Sequence, residues 1–383
     1  MRLLGLSPNL LRRLQKLPRL TLLAMLVLLN GCLDDGGSSD DDGLLSGQVT
    51  VSGIRGLSYQ TASQTGVTNE AGEFRYLPGE RLQLAVGDLV LATDVPADDL
   101  VTPLEFLADT RSRLQSPGTN EEGLRDHRMA EQSALQDDTL INLTRFLLAL
   151  NWQETITEGE TLDIRDRVIE QLNTALARLD LTIDFTVEPA DFEAAGATLS
   201  PANRLLAEIC FYPEDDLRCS APPTQAEIDN APARPIEVDD RDPDVLYRED
   251  LISRRERIES AVRNLEQFDE ERAEIYLTQQ LELATRTYAN RYYLDSEAAA
   301  HAASDTGIHS VRIRKIGGEP ELASLEAVSL RTSDVAVHSF DWQSATVEYF
   351  VTGEAGGESD LLVNFRPEGD YRWLKKQLRV LVR

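Results

Sequence analysis

Between Pro213 and Pro243 the chain places six prolines, at 213, 222, 223, 232, 235 and 243, in thirty-one residues. Proline fixes φ at about −65° and has no N–H to donate, so this stretch cannot be one helix or a central strand. Its many acids disfavour burial, and the part from 220 to 243 reads as an exposed, extended connector. Whatever folds must fold on either side of it, and cleavage there is expected to leave two stable pieces.

The first thirty-one residues carry Arg2, Arg12, Arg13, Lys16 and Arg19 and no acid, followed by the apolar run Leu20 to Leu29. A basic n-region followed by an h-region is the pattern of an export signal. Ten residues of helix reach roughly half of the ~30 Å hydrocarbon layer, too short to remain as a span. Arg12-Arg13 lacks the flanking residues of a twin-arginine signal and reads as n-region charge.

The residues that follow, Leu29-Asn30-Gly31-Cys32, resemble the bacterial lipobox. That resemblance implies cleavage between Gly31 and Cys32 and lipidation of Cys32, which becomes the first residue of the mature chain. A small Gly lets a peptidase approach the backbone, and a thiol can take a diacylglyceryl group. Each buried methylene contributes ~0.8 kcal/mol, so two or three acyl chains, palmitate among them, anchor a protein durably. In such lipoproteins an Asp after the cysteine favours the inner membrane; Leu33 here favours the outer membrane. The other reading is an ordinary cleaved signal with an incidental cysteine.

Of the 383 residues, 38 are Lys or Arg and 66 are Asp or Glu, a formal charge of −28. Removing the five basic residues of the signal leaves 33 − 66 = −33. Such a surface repels nucleic acid and anionic head groups alike, so the membrane contact falls to the acyl chains. Residues 32–46 are Asp-, Gly- and Ser-rich and read as a solvated tether, because their spacing matches no EF-hand loop. No HExxH, CxxC, GxSxG, GxxxxGK or GxGxxG occurs, and four His with three Cys offer little for a metal cluster. No metal, cofactor or catalytic residue is therefore assigned.

The fold expected is α+β and multidomain. Residues 47–102 hold five β-type runs, at 48–52, 57–62, 72–77, 81–86 and 88–93, with Phe74/Tyr76 and Leu82/Leu84/Val86 alternating. That is a small antiparallel β-sandwich. The stretch Gly66-Val67-Thr68-Asn69-Glu70-Ala71-Gly72-Glu73-Phe74-Arg75-Tyr76 resembles the carboxypeptidase regulatory-like, or transthyretin-like, β-sandwich module. The resemblance implies a tight reversal at Asn69 and Gly72, core positions for Phe74 and Tyr76, and a rigid scaffold or adhesive unit. The wider run through Val101-Thr102-Pro103-Leu104 and Asn142 to Leu147 is similar to envelope lipoproteins and adhesin-like proteins of proteobacteria.

Residues 103–219 read as a helical domain. Ile164, Val168, Ile169, Leu172, Leu176 and Leu179 share one helix face, Ile141, Leu143, Phe146, Leu147, Leu148 and Leu150 suggest a central helix, and Ser200-Pro201 reads as an N-cap with proline at the first position. Trp152 reads as packed at a helix end and His127 as a solvated loop residue. Cys210 and Cys219 remain once Cys32 is assigned, and in an oxidising compartment they are expected to form a local disulfide; a redox pair would want CxxC. Residues 244–306 read as a helical hairpin with Leu277, Leu281, Ala284, Tyr288 and Tyr292 on one face, and 307–383 as a β-rich domain. His309 and His338 fall in its strands with no acid or hydroxyl that the sequence places beside them.

The expected function is that of a non-enzymatic, lipid-anchored outer-membrane lipoprotein that binds or scaffolds an envelope protein or polysaccharide, on the periplasmic side or at the cell surface. The alternative is a hydrolase of cell-wall or extracellular polymer using an Asp/Glu pair. A cleft with a carboxylate of raised pKa would favour the hydrolase, and an exposed aromatic patch the binder.

Overall fold

The computed structural model describes residues 43–196 and 198–383. The export signal, Gly31 and Cys32, and the tether up to Asp42 lie outside the described residues. Mixed helix and sheet define the α+β class.

The N-terminal strands are β1 (Leu45–Val49), β2 (Ile54–Arg55), β3 (Ser58–Gln60), β4 (Thr65–Val67), β5 (Glu73–Tyr76), β6 (Arg81–Val86), β7 (Leu89–Pro96) and β8 (Leu100–Val101). β1 starts at Leu45, so the last two residues assigned to the tether are strand. Two sheets form, ordered β5-β1-β8 and β4-β3-β6-β7, and β8 runs parallel to β1 where an all-antiparallel module was expected. Phe74, Tyr76, Leu82, Leu84 and Val86 are buried, as their alternation requires. Asn69 turns the chain: its Oδ1 accepts from the N–H groups of Ala71 and Glu73, and Gly72, at φ +75°, donates to its carbonyl. A Cβ on Gly72 would lie 2.7 Å from the Val49 carbonyl oxygen, so glycine is required there.

The helical region comprises α1 (Pro103–Phe106), α2 (Ala108–Leu114), α3 (Arg128–Ala134), α4 (Asp138–Leu150), α5 (Asp166–Leu179), α6 (Pro189–Phe192) and α7 (Pro201–Leu206), with short strands β9 (Gly118–Thr119), β10 (Arg125–Asp126) and β11 (Leu162–Asp163). α4 is capped by Asp137 and buried from Leu140 to Leu150; the polar Asn142, Thr144 and Arg145 within that span donate to the carbonyls of Val187, Leu140 and Phe268. Asn203 N–H donates to the Ser200 hydroxyl at the start of α7. Cys210 and Cys219 are joined by a disulfide, their Cα atoms 5.5 Å apart.

The proline-rich segment is largely exposed, but it is not extended throughout. A Thr224/Glu227 capping box starts α8 (Gln225–Asn230), which packs against α9 (Arg248–Glu259). The hairpin expected at 244–306 does not form as a pair. α9 packs on α8 and the 3-10 turn Leu217–Cys219, whereas α10 (Glu270–Asn290) packs on α4. The cause is the face read from the sequence: Leu277, Leu281, Ala284 and Tyr288 are all buried, but against α4 and the C-terminal sheets, while α9 has only Ile258 buried.

β-structure resumes at Tyr292, earlier than expected, with β12 (Tyr292–Leu294), β13 (Ala298–His301), β14 (His309–Lys315), β15 (Leu322–Ser329), β16 (Val335–Asp341), β17 (Thr346–Val351), β18 (Glu358–Pro367) and β19 (Leu374–Val382). They form two four-stranded sheets, β12-β14-β17-β16 and β13-β19-β18-β15, around a core of Val311, Ile313, Val347, Val363 and Phe365. The β13–β14 segment crosses from one sheet to the other.

The boundaries expected at 102, 219 and 306 are crossed by backbone pairing and by core. β2 pairs in parallel with β11 of the helical region, and Leu162 N–H donates to the Gly53 carbonyl. The Arg145 guanidinium, fully buried in α4, pairs with Glu193 and donates to the carbonyls of Phe268, at 2.7 Å, and Leu265, at 3.2 Å, beyond the connector. Leu281 belongs to the core under the N-terminal sheets and Ala284 and Tyr288 to that of the C-terminal sandwich, so α10 serves both. Residues 43–383 accordingly form one compact unit. No described helix is long and apolar enough to cross a membrane.

Candidate functional site

Three places gather chemistry-bearing groups. The first is the junction where α3, α10 and the β18–β19 loop meet. His127, expected in solvent, is buried: its Nδ1 accepts the Trp373 N–H at 3.1 Å, and its Nε2 lies 3.1 Å from the Thr285 hydroxyl. An Nδ1 that accepts fixes the neutral Nε2–H tautomer. Burial, helped by the Arg372 guanidinium, accordingly pushes its pKa down to about 4. One turn on, Glu131 accepts the Tyr371 hydroxyl at 2.8 Å, and burial pushes its carboxyl up to about 7. It lines a groove of about 560 Å³ between α3 and α10, with Arg128, Thr278, Glu282 and Arg286.

Beneath the groove Arg372 is almost fully buried. It contacts Asp370 at 3.1 Å and Glu105 at 3.5 Å, and stacks on Tyr371 and Tyr288, 4.3 and 5.3 Å from the ring centroids. Asp99 alongside is held by the Tyr288 hydroxyl and the Arg291 guanidinium. Such a network is what a charge requires when it is taken out of water.

His127 and Glu131 drive pH dependence in opposite directions. Between about pH 4.5 and 7 folded Glu131 keeps a proton that the unfolded chain has released, so its contribution to stability is lost as pH rises. Between about pH 4 and 6.5 unfolded His127 binds a proton that the folded protein excludes, so its contribution grows as pH rises. Denaturant titrations from pH 4.5 to 7 should show the stability of wild type minus Glu131→Gln falling with pH, and that of wild type minus His127→Asn rising. Parallel curves would show that neither group titrates as its burial dictates.

The second place is the β13–β14 crossover. His301 ends β13, which pairs with β19; His309 begins β14 and faces Tyr349 of β17; Asp305 sits midway in the connecting loop. The two imidazoles stack with centroids 3.6 Å apart, and His309 Nε2 lies 3.2 Å from Asp305 Oδ2. Tyr349 Oη is 3.2 Å from His301 Nε2. Desolvation and the neighbouring His309 push the His301 pKa down, and the Gly307 N–H and the nearby His309 hold Asp305 below the usual carboxylate range. One donor atom from each of the three residues can be chosen so that all lie within 4.8 Å of one another. The sequence alone places no partner beside His309 and marks no metal site. The available signal was the spacing His-x3-Asp-x3-His, which means nothing until a strand end and the next strand start are brought together.

The third place is one end of the sheet β12-β14-β17-β16. Tyr292 pairs with Lys315, Arg312 with Thr346, and Thr346 with Asp341, which brings Tyr293, Ile316, Phe340 and Trp342 to the same end, Tyr293 on the face of its partner Arg314 and Phe340 on the face of its partner Val347. They are 48, 67, 48 and 46% exposed. The outer strands stand three inter-strand steps apart, about 14 Å. His338 lies exposed on the same edge strand, edge-on to Phe350, with no acid against it. Trp152 is packed under the Arg165 guanidinium, 4.2 Å from its ring centroid.

No protein family matches the chain, and no curated protein matches it. Among solved structures it is similar to the crystal structure of domains 4 and 5 of the S-layer protein SbsC, with 15% identity and a TM-score of 0.19 over 24% of this chain and 50% of that one. It is also similar to the structure of domains 1–6 of surface layer protein SbsC, with the same identity and TM-score over 24% of this chain and 13% of that one. This chain thus spans half or less of those structures, and a TM-score of 0.19 assigns neither fold nor function.

Proposed function

We propose that this chain is a lipid-anchored lipoprotein of the outer membrane whose folded part is a non-enzymatic binding or scaffold unit for an envelope partner, a protein or a polysaccharide. The anchor rests on the lipobox at Leu29–Cys32, and the N-terminal sheets are read as a sandwich module of the carboxypeptidase regulatory-like kind. The observation that carries the binding reading is the pair Phe340 and Trp342, two exposed aromatic side chains at the end of the edge strand β16, which is itself exposed from His338 to Asp341. Aromatic side chains left in water on one strand mark a contact surface, and the open part of that strand edge offers backbone donors and acceptors to a protein. That combination favours a protein partner over a glycan.

A second reading has one observation behind it. Glu131 holds its proton to about pH 7 in a groove that Glu282 also lines, the disposition of a general acid in a polymer hydrolase.

The test uses the lipidated chain as bait in its own envelope. Wild type should retain a partner that the double variant Phe340→Ser/Trp342→Ser loses by at least about tenfold, the scale expected for anchor side chains. Retention unchanged by the double variant would remove the patch from the reading, and polymer cleavage abolished by Glu131→Gln would establish the hydrolase instead. Separately, Cys32→Ala should abolish acyl labelling and cleavage after Gly31. A variant that still fractionates with membranes at high salt would show an anchor other than Cys32.

A further inference from the structure

We propose that His301, Asp305 and His309 form a binding site for a divalent transition-metal ion of the Zn2+ class, which clips together the two sheets of the C-terminal sandwich.

The ligands come from both sheets. His301 is the last residue of β13, paired with Val382 of β19, and its carbonyl accepts the Arg383 N–H at 2.8 Å. His309 is the first residue of β14, in the opposite sheet. The crossover between them, residues 302–308, is short and internally turned: Asp305 N–H donates to the Ala302 carbonyl at 2.9 Å, and Gly307 N–H to Asp305 Oδ1 at 2.9 Å. The turn leaves Asp305 Oδ2 facing His309 Nε2.

That nitrogen carries the argument furthest. It is buried and makes no hydrogen bond, although a carboxylate oxygen lies 3.2 Å away. A buried polar atom without a partner costs free energy unless something else satisfies it. Here it lies beside a second imidazole, stacked on it with centroids 3.6 Å apart, and an anion, so that turning one ring out of the stack brings three donors onto a shared ion. Two neutral imidazoles and one carboxylate are the donor set of zinc and its transition-metal neighbours, whereas Ca2+ and Mg2+ prefer all-oxygen surroundings. At bond lengths of about 2.1 Å tetrahedral ligands stand roughly 3.4 Å apart. Donor atoms within 4.8 Å of one another therefore have to draw in by up to about 1.4 Å, and one half-buried imidazole has to rotate out of the stack to aim its lone pair at the ion. The Tyr349 hydroxyl on His301 supplies the outer contact that orients a ligand imidazole. Three protein ligands leave a fourth position to water or to a partner's side chain.

The experiment takes the untagged full chain with Cys32 acylated or alkylated, stripped with chelator, and titrates Zn2+ calorimetrically while following thermal unfolding. One saturable equivalent is expected, with a rise in Tm that excess Ca2+ or Mg2+ does not reproduce. His301→Ala and His309→Ala should each weaken binding at least about 100-fold and Asp305→Asn about tenfold, no less than the roughly 10- to 100-fold that loss of an outer contact alone costs. Because a histidine variant could fail to fold, wild type loaded with one equivalent of Cu2+ is read by electron paramagnetic resonance, where splitting from two nitrogen ligands is expected. Weak, non-saturating uptake that Ca2+ displaces, binding indifferent to both histidine substitutions in folded variants, or a copper spectrum without nitrogen splitting would each overturn the proposal. None of these outcomes touches the binding reading above, which rests on the opposite part of the sandwich surface and on other residues.

Discussion

Arg372→Met should destabilise the protein by about 3–5 kcal/mol, the loss expected when one partner of a buried ion pair is removed. Methionine nearly fills the volume, so the deficit is electrostatic: Asp370 and Glu105 would remain in a site built around a guanidinium that is itself only 1% exposed. The rings of Tyr371 and Tyr288 would lose their cation as well. Arg372→Lys should cost less, because it keeps the charge, but more than 1 kcal/mol, because an ammonium cannot span two carboxylates and stack between two rings. Adding Asp370→Asn to Arg372→Met should recover part of the loss, and a double-mutant cycle in urea measures how much. A loss below 1 kcal/mol for Arg372→Met, with unchanged m, would mean that the junction admits water and that the network is not a buried one.

What the sequence made legible was local. The reversal at Asn69–Gly72, the alternation through Phe74 and Tyr76, the N-cap at Ser200 and the buried face of α10 each follow from residues within a turn or two of one another, and each is present. What it concealed was set by contacts between distant segments. Nothing near Arg145 indicates that its guanidinium bonds the Phe268 and Leu265 carbonyls more than a hundred residues away. His127 read as solvated because its surroundings in sequence are polar, whereas its burial comes from Trp373 and Thr285. The candidate metal site was hidden for the same reason: His301, Asp305 and His309 are close in sequence, but only the pairing of β13 with β19 and β14 with β17 brings their donor atoms within 4.8 Å of one another. Proline density did mark the exposed segment, but the segment is not extended throughout, since Gln225–Asn230 is helical, and the core does not divide there.

Thr278→Pro, in the interior of the 21-residue α10, should cost about 3 kcal/mol or more, because proline removes an intrahelical donor and clashes with the preceding turn. Thr278 is exposed, so no packing is lost with its side chain, and Thr278→Ala should stay within about 0.5 kcal/mol of wild type. The substitution sits between Tyr276 and Leu277, which pack under the N-terminal sheets, and Ala284 and Tyr288, which pack on the C-terminal sandwich. Both cores should therefore loosen together. Hydrogen exchange read by mass spectrometry should show β6 and β18 losing protection by a similar factor, roughly 100-fold or more for such a change in opening free energy. If β18 keeps its protection while β6 loses it, the sandwich is stable without α10, and cleavage at the proline-rich segment would leave two independently folding pieces after all.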